Sequence, residues 1–184
     1  MNQIHSSQKA RVFFALWPGE AERNALASWQ EKLHQLCGGR VMAGAGLHVT
    51  LIFLGNVGVQ RLEALRLAAQ EVRGEGFEMN VALARYWEHT HIVYAAPPEL
   101  PPALLRLVDA LDKSLQRHNF VFERGHYDPH VTLLRNAHWN TSPLPAMPPV
   151  TWRVRDFVLV QSQRMEMGAR YEVLAHFSLQ ELQR

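Results

Sequence analysis

Cysteine is almost absent. Cys37 is the only one, which excludes an intrachain disulfide and a cysteine-rich zinc site and fits a reducing cytoplasm. Charge of one sign is lacking too: 19 Lys and Arg stand against 17 Asp and Glu in 184 residues, and no basic block of the kind that grips a long duplex occurs. A mild preference for anions is all that a net charge of +2 supports. No long apolar run is present either; residues 12–17 are far too few to span a bilayer, and residues 1–9 are polar, without the apolar stretch of a signal peptide. The expectation is a cytoplasmic protein with no membrane partner.

Histidine, by contrast, is plentiful. Ten residues carry the one side chain that titrates near neutrality unaided, so acid/base chemistry and metal binding both need testing. With 47% hydrophobic residues the chain is long enough for one continuous core, or for two small lobes sharing a cleft.

Periodicity supplies the elements. Residues 11–16 read as a short buried strand, and Trp17-Pro18-Gly19 turns it into a helix over 20–37 with Leu26, Trp29, Leu33 and Leu36 on one face, stopped by Gly38-Gly39. Residues 47–54 read as a strand ended by Gly55, residues 59–73 as a helix with Leu62, Leu65, Ala69 and Val72 inside, and Phe77, Met79, Val81 and Leu83 alternate as in a strand. The second half repeats this plan: a strand over 91–95, a helix over 102–117 with Leu104, Leu107, Leu111 and Leu115 buried, and strands over 120–124 and 130–134. A proline-rich loop over 140–149 and strands near 151–162 and 171–179, with Gly168 in the turn between, complete the chain. The pattern predicts an α+β fold of two pseudo-twofold-related lobes, with antiparallel sheets facing a central cleft and helices outside. Residues 1–184 form one two-lobed domain in this reading, with the lobe boundary near 85–95 and the strands after 150 crossing between lobes.

One tetrapeptide occurs twice. His48-Val49-Thr50-Leu51 and His130-Val131-Thr132-Leu133 are identical and lie 82 residues apart. Ten His and five Thr would give about a quarter of one His-x-Thr by chance, so two copies matching also at Val and Leu form a specific signal. In a strand, residues two apart share a face, so each copy presents an imidazole beside a hydroxyl while Val and Leu enter the core. Two copies across a pseudo-twofold put two imidazoles and two hydroxyls around one point. That is a phosphodiester site: one His takes a proton from water, the other gives one to the departing oxygen, and the hydroxyls bind non-bridging oxygens. A strained five-membered cyclic phosphate could be opened there without a metal.

With these residues in hand, the chain resembles the RNA 2′,3′-cyclic phosphodiesterase family, also called 2′-5′ RNA ligases, within the two-histidine phosphoesterases. The likeness is carried by Arg11-Val12-Phe13-Phe14-Ala15-Leu16, by Leu47 to Gly55 around the first motif, and by Pro129 to Arg135 around the second. It implies hydrolysis of RNA 2′,3′-cyclic phosphate ends to 2′-phosphate ends, with reversible 2′-5′ ligation as a secondary activity. By the same resemblance His48 is the proton donor and His130 the proton acceptor. Thr50, Thr132 and Arg135 bind the phosphate, and Phe14 stacks on the terminal base. No cofactor is implied, and the expected partners of this monomer are RNA 3′ ends or nucleotides bearing a cyclic phosphate. Arg135 is out of phase with His130 and Thr132 in a regular strand, so it reaches the phosphate only where the strand bends or ends. Trp17 and Asp128 stand where close relatives are expected to carry other residues.

Competing readings are weaker. His89 with His91, His126 with His130, and His138 invite a metal site, but no carboxylate or cysteine joins them at a ligand spacing. Phe13 and Phe14 point to opposite faces, so one belongs to the core and the other to the cleft, and Tyr171 reads as a packing residue. Within the same scaffold the alternatives are a 2′-5′ RNA ligase or a phosphodiesterase for 2′-5′-linked or small cyclic nucleotides. An RNA-end binding module is the alternative of another class, and it has no need of two titratable groups.

Overall fold

The computed structural model describes residues 8–140 and 142–181. Most of the polar N-terminal stretch, and Thr141 of the proline-rich loop, lie outside that range. The fold is α+β, with antiparallel strands and three α-helices among the described residues. Strands β1 (Lys9–Leu16), β2 (Arg40–Val41), β3 (Val49–Gly58), β4 (Phe77–Val81) and β5 (Leu83–Trp87) are followed by β6 (Ile92–Ala96), β7 (Val131–Arg135), β8 (Val150–Val154), β9 (Asp156–Met165) and β10 (Gly168–Ser178). Helices α1 (Glu20–Cys37), α2 (Leu62–Gln70) and α3 (Pro102–Arg117) lie between them. None is long and apolar enough to cross a membrane, among the described residues.

The duplication anticipated from the motif is visible in the elements. Adding 82 to the starts of α1 and β3 gives the starts of α3 and β7. One half-sheet runs β10-β9-β1-β3 and the other β7-β6-β5, with β2 on the end of β7. The two are continuous rather than separate sheets, because β3 and β7 pair at a single position, Val49 with Val131. Strands β9 and β10 return to the first half by pairing with β1. A detached ribbon of β4 and β8 completes the structure.

All three helices pack on one side of the sheet, and the helix of each half lies against the other half. Helix α1 meets β7 and β8, whereas α3 meets β3 and α2. The α3 stripe of Leu104, Leu107, Leu111 and Leu115 is fully buried as the spacing required, each leucine contributing about 1.5–3 kcal/mol. On α1 the stripe is Leu26, Trp29, Leu33 and Cys37; Leu36 is exposed, since continuing four-residue steps from Trp29 reach Cys37 instead.

Several expected boundaries move. Gly55 does not end β3: with φ of +71° it sits at a bulge between the Val12–Gly55 and Phe13–Phe53 pairs, and the strand runs on to Gly58. Residues 59–61 form a 3₁₀ turn and α2 ends at Gln70, so that helix is shorter than its apolar pattern. The alternation from Phe77 to Leu83 spans two strands in different sheets. Residues 120–124 are not a strand; Phe120 is anchored under the Arg61 guanidinium at 4.0 Å, and Val121 lies open to solvent with no partner strand.

One buried polar side chain ties the helix layer to the sheet. Gln30 of α1 is 3% exposed and donates its Nε2 hydrogens to the carbonyls of Met42, at 2.8 Å, and Leu133, at 3.0 Å. Gln30→Leu strips these partners inside the core and is expected to lower the unfolding free energy by about 1–3 kcal/mol in urea denaturation; a loss below about 0.5 kcal/mol would show that the bonds carry no weight.

Candidate active site

The Val49–Val131 pair decides what faces the cleft. Counting outward in antiparallel register places His48 opposite Thr132 and Thr50 opposite His130, so each imidazole stands across from the other motif's hydroxyl. The flanking valines and Leu51 and Leu133 are buried toward the helices, while His48, Thr50, His130 and Thr132 are half-buried on the other face. Those four side chains line one pocket of about 130 Å³ together with Met42, Gly46, Arg135 and Tyr171. Five of the six anticipated site residues therefore come together.

Arg135 arrives by the route the strand phase demanded. Val93 pairs with Leu134 and Tyr94 with Thr132, which leaves Leu133 as the extra residue of a bulge and returns Arg135 to the face of Thr132. The bulged carbonyl of Leu133 accepts from the Met42 backbone N–H at 3.0 Å and from Gln30, so helix α1 holds the bend that aims Arg135. Gly39, at φ of +84°, lets β2 lie close alongside; a Cβ there would stand 2.6 Å from the Arg135 carbonyl oxygen.

Phe14 is the exception and a correction. It is completely buried on the helix side, packed against Phe157 and Phe177 at ring distances of 6.2 and 6.1 Å, and no base can reach it. Its neighbour Phe13 takes the cleft face, as strand alternation requires, and packs 4.9 Å from the His48 ring.

The two histidines are held alike. His48 donates Nδ1–H to the Gly46 carbonyl at 2.7 Å, and His130 donates Nδ1–H to the Asp128 carbonyl at 2.8 Å. A carbonyl only accepts, so this fixes the Nδ1–H tautomer of the neutral rings and leaves each Nε2 free. Burial pushes the His48 proton affinity down to about 4, opposed by the Gly46 bond and reinforced by the positive charges of His130 and Arg135. With Arg135 and two imidazoles and no carboxylate in its lining, the pocket is built for an anion.

Further aromatic rings surround the two histidines, and their place beside the imidazoles had no signal in the sequence. Trp17 stacks on His48 at 5.3 Å, Tyr171 meets it edge-on at 5.2 Å, and Gly46 leaves room for that tyrosine, whose ring would lie 3.1 Å from a Cβ. Trp87 and Tyr94 contact His130 edge-on at 4.6 and 5.5 Å. Tyr171 thus lines the site as well as packing in it. The remaining candidate metal ligands do not enter the pocket: His91 bonds Tyr86 and lies 5.1 Å from His138, and His126 faces a groove beside Phe53. Among the described residues no group of three or more His, Cys, Asp and Glu is gathered as a metal site.

An α+β fold carrying paired His-x-Thr strands over an anion pocket defines a two-histidine phosphoester site. The sequence profile of the 2′-5′ RNA ligase superfamily matches residues 18–166, and the chain belongs to that superfamily. It is 29% identical to the RNA 2′,3′-cyclic phosphodiesterase of Escherichia coli, over 94% of this chain and 98% of that protein. It is 32% identical to the protein of the same name from Thermus thermophilus, over 92% of this chain and 90% of that protein. The crystal structure of apo E. coli LigT superposes with a TM-score of 0.84 at 28% identity, covering 95% of this chain and 99% of LigT. LigT complexed with 3′-AMP superposes equally well.

The lowered proton affinity of His48 has a consequence for stability. The unfolded residue binds a proton below its ordinary value of 6.5, the folded one only near 4, so acidification between those values favours the unfolded chain. Stability should be unaffected by this group above pH 6.5 and fall by up to about 3 kcal/mol by pH 4. Comparing urea unfolding of the wild type and His48→Gln across that window checks this: the variant should lose less on acidification, and parallel curves would contradict it.

Proposed function

We propose that this chain opens RNA 2′,3′-cyclic phosphate ends to 2′-phosphate ends by acid/base catalysis that needs no metal ion. The observation that carries the reading is the convergence of both His-x-Thr motifs and Arg135 on one phosphate-sized pocket. The names of the E. coli and T. thermophilus relatives agree with it. The whole chain works as one two-lobed unit, with the cleft between its halves receiving the RNA end. A single cysteine, Cys37, buried and unpaired, fits a cytoplasmic setting.

In this mechanism Thr50, Thr132 and Arg135 bind the non-bridging oxygens and hold the ring so that water faces the bond from phosphorus to the 3′-oxygen. His130 Nε2 takes the proton of the attacking water as the new P–O bond forms. His48 Nε2–H protonates the 3′-oxygen as that bond breaks, leaving a 2′-phosphate and a free 3′-hydroxyl. Because Nδ1–H of His48 is already engaged, its Nε2 carries a proton only in the imidazolium form. The ring is neutral in the empty pocket at neutral pH, so the negative charge of the cyclic phosphate must draw that proton in. The same low proton affinity favours the exchanged roles, with His48 as base and His130 as acid. A 5′-hydroxyl attacking phosphorus in the place of water, with the 3′-oxygen leaving as before, would make a 2′-5′ linkage at the same site, and the reverse of that step would cleave it.

A cyclic-phosphate oligonucleotide tests the proposal. His48→Ala and His130→Ala should each lose about 100-fold or more in turnover, the wild type should keep full activity in a chelator, and the product should carry a 2′-phosphate. Intact turnover in both variants, or loss in chelator, would contradict it. An aryl phosphodiester, whose phenolate departs without a proton, separates the roles: the variant lacking the acid loses much less on it than the variant lacking the base.

A further inference from the structure

The duplicated strands should make the two histidines equivalent, and most of their environment does. Both follow the same i to i−2 Nδ1–H bond, and both precede a strand with a bulge three residues on, at Leu51 and at Leu133. The neighbouring strand breaks the symmetry. On β1, Leu16 pairs with Val49, so the next residue, Trp17, stands opposite His48. On β6, Ala95 pairs with Val131, so the next residue, Ala96, stands opposite His130. One structural slot thus holds an indole in the first half and a methyl group in the second.

The contacts follow from that difference. Trp17 lies flat on the His48 ring, 5.3 Å between centroids and 7° from parallel, and Phe13 and Tyr171 pack on it as well, leaving the edge that faces the pocket. Among the described residues no aromatic ring stacks on His130; Trp87 and Tyr94 touch it only at 76° and 72°. The titratable groups facing His48 are His130, just before β7, Arg135 at the end of β7 and Tyr171 from β10, and β1 contributes none. We propose that Trp17 is a positioning residue that makes the two motif histidines inequivalent, fixing the plane of His48 and keeping water from its face, where the corresponding position beside His130 offers only the methyl group of Ala96. This inference rests on the phosphodiesterase reading only for its bearing on catalysis. A shielded ring sheds its proton readily, and the depressed proton affinity of His48 has burial as its largest cause. In the free protein His48 therefore stays neutral at neutral pH until an anion enters.

The test is a histidine titration by NMR on the free protein, which needs no substrate and stands whether or not RNA is the physiological ligand. Trp17→Ala, which copies Ala96, should raise the His48 midpoint by about one unit or more and leave that of His130 in place. Trp17→Phe, which keeps a stacked ring, should move it by less than half as much. The limb of the kcat/KM profile governed by His48 should shift with it. Should Trp17→Ala fold poorly, Trp17→Leu offers the same loss of stacking with more bulk. A His48 midpoint that stays put in the folded Ala or Leu variant overturns the proposal, and so does an equal rise at His130, which would reflect general loosening.

Discussion

One backbone pairing sets the geometry of the site. Val49 and Val131 are the single point at which the two half-sheets join, and each sits between the histidine and threonine of its motif. An antiparallel pair at that point puts four polar side chains on one face and four apolar ones in the core, with no freedom left over. A slip of one residue by β7 at this junction would turn His130 into the helix layer and leave His48 alone in the cleft. The rest of the structure serves to hold that register: α1 lies under β7, α3 lies under β3, and each helix braces the motif strand of the half to which it does not belong.

From that junction the symmetry is close but incomplete, and the departures are chemical. Phe53 is the counterpart of Arg135, 82 residues earlier in the chain. The bulge that aims Arg135 into the pocket therefore has a twin that presents Phe53 to solvent, covered on one side by Arg11 at 4.8 Å. Trp17 and Ala96 differ in the same way beside the two histidines. An acid/base pair needs one ring protonated and the other neutral when the reaction begins. Duplicated strands supply convergence, and substitutions at equivalent positions make the surroundings of the two histidines differ.

The motif itself was legible because it combines a period-two pattern with an improbable repeat. The same held for α1 and α3, whose ends match the apolar spacing and the Gly38 and Pro102 signals. What escaped was information that lies in pairing rather than in pattern. Nothing near Arg135 announces the bulge at Leu133, which depends on Val93 and on Gln30 from distant segments. The choice between Phe13 and Phe14 is decided by which face of β1 meets the helices, a fact absent from two adjacent phenylalanines. Residues 120–124 have the composition of a strand but no neighbour with which to pair. Tyr171 and Trp17 reach His48 from strands and turns far along the chain, and composition alone gives them to the core.

The proposed mechanism requires both imidazoles to act on one phosphorus atom. A crystal structure of the chain with a nucleotide 2′-phosphate measures this directly. The expected result is a phosphate seated between the two motifs, with Nε2 of His48 and Nε2 of His130 both within hydrogen-bonding distance of its oxygens and Arg135 alongside. A phosphate held by only one of the two rings, or bound elsewhere on the sheet, would contradict it.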